Sequence, residues 1–588
     1  MRYHLSFQSA SRQVIDVSLT CEIPAEGLSL RLSAWRPGRY SKQEFVKYIS
    51  DFKVRTDLGD QALWSKTDSH TWKIEPAVGT TYIVSYSYYA NQQDAGGTWF
   101  DDQYILFNGI TALLYCPGQE SLPCQLRLTL PDGWRLGGGL PSFDTIIPFS
   151  SFHHLVDTPF FASPDLWHHQ ELIDGMDTHL WIQGNHTLDV DRLLNEIRAY
   201  TPVQIQTFGD CPVEEYHYLY LFRALPYRHG VEHHNSTVIV MGPGRGMHLP
   251  AAHQSLLEIS SHEFFHTWNV KAIRPADMYP YSYEGENYSR LHYITEGVTT
   301  YYGDLMLWKS GIWTWDQWVD SINGELSRHY GMGGKDHISL EMASFDSWIN
   351  GYDTSGFPNR RISFYTKGSL VSLIADHLIR QFSEGERSLD DVMHAMYHQI
   401  AKHNRGYTSE DYRRLLSQFA GKSMADFHAK YIEGTQPLEL MLEDIAMAAG
   451  LKLIHVPPPS DLCSKTGISW KLDPQKRVVI DNIWPGSPAE AASIYLNDQI
   501  LGMNGDRVTS NPDILMQTIK RGESVMLTVS HQGALREVSL QTSLTTIGSI
   551  PQFISLIDAT SEQLTFREQW KRLRGPRHMS VTTLFRHE

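Results

Sequence analysis

The hydrophobic period of this chain changes along its length, and that change bounds the folds open to it. In the first ~165 residues, runs such as RYHLSFQ, TYIVSYSYYA and CQLRLTLP alternate apolar and polar positions between Gly, Pro and Asp clusters. That is the period of half-buried strands, and a β-sandwich-like domain is expected over 1–165. From about residue 190 the patterns mix: VDRLLNEIRAYTPVQIQTF has a helical period, while YHYLYLFRAL and NSTVIVMG read as strands. Helical patterns dominate from about 290 to 450, as in GSLVSLIADHLIRQFSEG and SEDYRRLLSQFAGKSMADFHAKYI. HVPPPSD (455–461) interrupts both periods and reads as a linker. A chain of 588 residues also exceeds what one core supports. The expectation is a multidomain α+β protein divided into 1–165, 166–452 with a helical half from about 305, 453–545, and a partly helical tail over 546–588.

Charge and composition exclude several classes. A formal charge of −16 argues against a nucleic-acid partner, because phosphate contacts need clustered Lys and Arg. No apolar run approaches eighteen residues, so no membrane span is expected. The opening MRYHLSFQSASRQVIDVSL lacks an apolar signal region and reads as a strand. Five scattered cysteines suit reduced thiols, with Cys116 and Cys124 the one pair close enough to consider. A cytoplasmic protein is the resulting expectation.

The stretch SSHEFFHTWNVKAIRP (260–275) carries the chemistry. Pro250 suits a first helical turn, no Pro or Gly interrupts the run before IRP, and Leu257, Phe264 and Trp268 form one apolar stripe. On such a helix His262 and His266 lie one turn apart on one face, ready to share a metal ion. Glu263 is rotated about 100° away, where it can act as a base instead of a ligand. A catalytic zinc needs a third ligand and an open position. Glu286, in YSYEGENYS, lies twenty residues past His266 in a loop-like context; Glu296, in RLHYITEGVTTYYGDLMLW, lies thirty past it at the start of an apolar helical run. A carboxylate on a packed helix is held more rigidly, so Glu296 is preferred over Glu286.

HEFFHTWNVKAIRP and TEGVTTYY together resemble the glycyl aminopeptidase family of zinc peptidases. AWRPGRYSKQEFVKYISDF (34–52), GVEHHNST (230–237) and YTKGSLVSLIADHLIR (365–380) resemble further segments of that family, in the expected order. The resemblance implies a thermolysin-like catalytic domain with one zinc ion per chain on His262, His266 and Glu296. It implies Glu263 as general base and proton donor, Tyr365 as hydrogen-bond donor to the oxyanion, and Glu232 as the group that binds the substrate's α-ammonium. Asn269, Lys271 and Arg274 match the family segment and are expected to make structural pairs. One departure from the thermolysin pattern is Thr300, where an Asp would orient a zinc histidine; Asp304 lies a turn further on, and the acceptor is left open.

Residues 456–545 resemble a PDZ domain, from KRVVIDNIWPGSPAEAASIYLNDQILGMNGDRV to the hairpin SVMLTVSHQGALREVSLQ. DLCSKTGISWKLD matches the usual carboxylate-binding loop poorly. The domain could hold a peptide or make an intramolecular contact. The activity implied is a zinc aminopeptidase acting on peptides with a free N-terminus, with Gly and Ala preferred. The alternatives are an endopeptidase of the same chemistry and a non-catalytic PDZ scaffold. Oligomeric state is not readable from the residues.

Overall fold

The computed structural model describes residues 1–22, 27–76, 81–352, 356–357 and 361–573. It is a multidomain α+β protein, with a β-rich N-terminal part, a helical middle and a C-terminal PDZ domain.

The N-terminal part holds a six-stranded sheet, a four-stranded sheet and a three-stranded sheet. Strict alternation places its side chains. In Val14–Glu22, Ile15, Val17, Leu19 and Cys21 turn inward; in Thr81–Tyr89, Tyr82, Val84, Tyr86 and Tyr88 do so. All five cysteines are free, and Cys116 and Cys124 form no bridge.

A five-stranded sheet follows: β1 (Trp167–Ile173), β2 (Met176–Gln183), β3 (Glu215–Phe222), β4 (Tyr227–Glu232) and β5 (Ser236–Gly242). Its order is β1-β2-β3-β5-β4, so β4 is an edge strand, held only by antiparallel pairing with β5. Between β2 and β3 runs α1 (Val190–Phe208), capped by Asp189, which accepts from the Arg192 amide. After β5 comes α2 (Pro250–Phe265), with Pro250 in its first turn where no amide proton is needed. The helical half contains α3 (Thr299–Lys309), α4 (Trp315–Tyr330) and α5 (Phe364–Phe382), among shorter helices. One buried apolar cluster runs through the N-terminal sheets and these helices without a break.

The PDZ domain has a separate core, from Leu462 and Ile468 to Val538 and Leu540. It is entered by β6 (Leu451–Val456) and left by β7 (Ile550–Ser555), which pair antiparallel with Val456 opposite Ile550. That ribbon lies on α4, where the Asn323 amide both donates to and accepts from the Phe553 backbone at 3.0 and 2.7 Å. The chain then forms α6 (Ser561–Lys571), whose Trp570 is buried against Tyr301 and Trp318. Among the described residues no helix is long and apolar enough to cross a membrane.

Candidate metal centre and active site

α2 ends inside the molecule. His262 lies in its last turn and His266 caps it in helical conformation. Their Nε2 atoms face each other at 3.1 Å. Glu296 approaches from a π-helical turn, Tyr293–Val298, with Oε2 at 3.4 Å from His266 Nε2 and 3.9 Å from His262 Nε2. Glu286 is elsewhere, paired with Lys42 at 2.8 Å. The structure therefore brings Glu296, and not Glu286, to the two histidines.

His266 and Glu296 are each oriented by a neighbour. The Asn269 carbonyl accepts a hydrogen bond from His266 Nδ1 at 2.6 Å. A carbonyl only accepts, so Nδ1 carries a proton and Nε2 is the nitrogen turned towards His262 and Glu296. This is the acceptor that the sequence left open, and it comes from the main chain and not from Thr300 or Asp304. Asn269 is pinned in turn: its side-chain amide donates to the Ile294 carbonyl at 2.8 Å and to Thr299 Oγ1 at 3.0 Å. Burial, then His266, holds His262 well below the ordinary imidazole pKa and so neutral. Tyr40, from the N-terminal part, donates to Glu296 Oε1 at 2.9 Å and stacks on His292 at 3.7 Å. Two imidazoles and one oriented carboxylate, with donor atoms within 4.8 Å of one another, form a group that could hold a metal ion.

Beside this tripod lies a second group. One donor atom each of Glu232, Glu263 and His266 lie within 4.8 Å of one another. Glu263 is 5% exposed, and burial pushes its carboxyl up to about 8, with Glu232 and Glu296 adding and His266 opposing. Glu263 Oε2 and Glu232 Oε1 are both buried without a hydrogen-bond partner. Unpaired buried carboxylate oxygens are costly, and both line a cleft of about 560 Å³ that would offer them partners. Two glycines make room for them. A Cβ on Gly38 would lie 2.5 Å from Glu232 Oε2, and one on Gly230 would collide with Glu263 Oε1.

Tyr365, in the first turn of α5, lines the same cleft with its hydroxyl 3.2 Å from that of Tyr352. Burial, then Glu296, raises the Tyr365 pKa well above the ordinary phenol, so the hydroxyl keeps its proton to donate. Lys271 pairs with Asp157 at 2.7 Å, and the Arg274 guanidinium lies 4.0 Å from the Tyr281 ring centre. Both brace the segment after α2 from outside the tripod.

Tyr40, Tyr352 and Gly38 went unassigned in the sequence. Tyr40 and Gly38 lie within AWRPGRY, yet Tyr40 is 256 positions from the carboxylate it binds, and no spacing rule reaches that far.

Fold and site together define a metallopeptidase with an appended PDZ domain. Residues 2–164 match the peptidase M61 N-terminal domain, residues 255–371 the M61 glycyl aminopeptidase, and residues 463–542 a PDZ domain. The chain is thus similar to the M61 glycyl aminopeptidases in its N-terminal and catalytic parts. No curated protein matched it. Among solved structures, an aminopeptidase N family protein from Idiomarina loihiensis aligns with a TM-score of 0.88 at 23% identity, over 97% of this chain and 100% of that one, and shares the fold. An M1 zinc metallopeptidase from Deinococcus radiodurans aligns with a TM-score of 0.46 at 14% identity, over 74% of this chain and 94% of that one.

Proposed function

We propose that this protein is a zinc-dependent aminopeptidase of the HExxH-plus-glutamate type, removing the N-terminal residue of peptides. The observation that carries this reading is the buried, unpartnered Glu232 carboxylate beside Glu263 and His266. His262, His266 and Glu296 would hold one zinc ion per chain. Bound there, zinc would polarise the scissile carbonyl and acidify water.

The protein's own groups do the rest. Glu232, beside Gly38 in the cleft lining, pairs with the substrate's α-ammonium, so the bond to be cut is counted from the N-terminus. In a buried site such a charge-assisted pair is strong. Glu263 takes a proton from the attacking water and passes it to the departing amine. Tyr365 donates its hydroxyl proton to the oxyanion, and Tyr352 orients that hydroxyl. A preference for Gly or Ala rests on the family resemblance.

An endopeptidase would need an open path past Glu232, where the Gly38 backbone closes against the carboxylate. A non-catalytic scaffold has no use for a complete and oriented donor set.

The deciding measurement is kcat/KM for Gly- and Ala-nitroanilides and their N-acetyl analogues, with and without chelator. The free amines should be cleaved at least about a hundredfold faster, and chelator should abolish turnover. Glu232→Ala should narrow the difference. Equal cleavage of both forms by the wild type would replace this reading with the endopeptidase one.

A further inference from the structure

The cleft is bounded on one side by a strand whose side chains mark out a length. Among the described residues β4 pairs with no strand on its outer edge, where an extended peptide could add as a further strand. Arg228, Gly230 and Glu232 alternate along β4, and all three line the cleft together with His229. Gly230 abuts Glu263, so its level marks the bond that is cut. Glu232, two residues further along, is the ammonium end. Arg228 lies two residues in the opposite direction, where the leaving peptide must run.

Arg228 is exposed and anchored, its Nε donating to Ser255 Oγ on α2 at 2.9 Å. That bond leaves the paired terminal amines of the guanidinium as a fork suited to a carboxylate. The nearby charges are Glu258, Asp304, Glu325 and Arg328. Glu325 is paired with Arg328, and Glu258 accepts from the Gln254 amide at 3.1 Å; Glu258 and Asp304 both lie within the field of Arg228, but among the described residues neither forms an ion pair with it.

Two residues of strand separate Gly230 from Arg228, about 7 Å. Two extended residues of a leaving peptide cover the same distance. We infer that Arg228 binds the C-terminal carboxylate of the substrate, so that the cleft selects short peptides of three to four residues, held by their two terminal charges. This rests on the aminopeptidase reading above, which supplies the charge at the Glu232 end.

The test uses alanine peptides of two to six residues, each as free acid and as C-terminal amide, with the zinc-loaded full chain. Wild type should peak at three or four residues and prefer acid over amide by about tenfold to a hundredfold, the worth of a charge-assisted bond. Arg228→Gln should bring the acid-to-amide ratio close to one, and Arg228→Lys should keep part of it. Equal use of acids and amides by wild type, a ratio that survives Arg228→Gln, or a preference for amides through the acidic wall would each overturn the assignment. N-acetylated tripeptides separate the two readings. If they are cleaved as well as free ones, the aminopeptidase reading fails. If a free amine is required but the acid-to-amide ratio is one, only the role of Arg228 fails.

Discussion

At His266 a single backbone carbonyl fixes a proton on Nδ1 and turns Nε2 towards His262 and Glu296. Glu296 is treated similarly: Tyr40 occupies Oε1 and leaves Oε2 towards the histidines. On the proposed roles, Tyr40→Phe should fold and weaken zinc binding by about ten- to a hundredfold, as loss of an orienting partner does. Competition against a graded series of chelators measures this directly, and unchanged affinity would leave Tyr40 with a packing role alone. Glu263→Gln should keep its zinc and lose at least about a hundredfold in kcat. Metal analysis of the purified variant beside its turnover distinguishes a lost base from a lost ligand. Tyr365→Phe should lower kcat with little change in KM, since its bond tightens on the oxyanion.

Among the elements, the contact between the π-helical turn and α5 decides whether Glu296 and Tyr365 share a cleft. Gly297 and Gly368 meet there backbone to backbone. A Cβ on Gly297 would lie 2.5 Å from the Gly368 Cα, and one on Gly368 would lie 2.8 Å from the Gly297 Cα. The glycines of TEG and YTKG are thus one device, seen from two helices. Gly303 does the same for α3 against α2, where a Cβ would lie 3.1 Å from the His262 Cα. Gly368→Ala should force the two elements apart and destabilise the protein by about 1–3 kcal/mol, the cost of overpacking. Chemical denaturation reads the stability, and zinc affinity reports whether Glu296 has moved. An alanine tolerated on both measures would show that this contact has slack.

On the scale of the whole molecule, the PDZ domain is an insertion and the C-terminal helix is a clamp. The PDZ core is separate, and its two connections are neighbours in the β6–β7 ribbon. Excising 457–549 and joining Val456 to Ile550 through an Asn-Gly turn should leave a folded, zinc-binding unit, because the register already brings those residues opposite each other. α6 is different. Trp570 donates to the Tyr301 hydroxyl at 3.1 Å, Tyr301 to Asp376 at 2.8 Å, and Arg380 binds both Asp376 and the Gln569 carbonyl. Trp570→Ala should therefore cost about 3–5 kcal/mol. Thermal unfolding of the two variants side by side would expose the asymmetry. A larger loss from excising the PDZ domain than from Trp570→Ala would reverse these roles.

The residues alone determined whatever depends on local spacing. Alternation marked the strands, the 3.6 period and Pro250 marked α2, and His262, Glu263 and His266 stood on one turn because a helix repeats. The PDZ domain was legible because its turns and hairpin are short-range. Glu296 could be preferred over Glu286 only on helical context, and the folded chain alone showed which carboxylate reaches the histidines. Tyr40, Tyr352 and the Gly297–Gly368 contact had no local signal at all, and the carbonyl by which Asn269 holds His266 had none either. Hydrogen bonds across hundreds of residues and backbone-to-backbone contacts between helices are set by packing, and packing is decided only when the whole core closes.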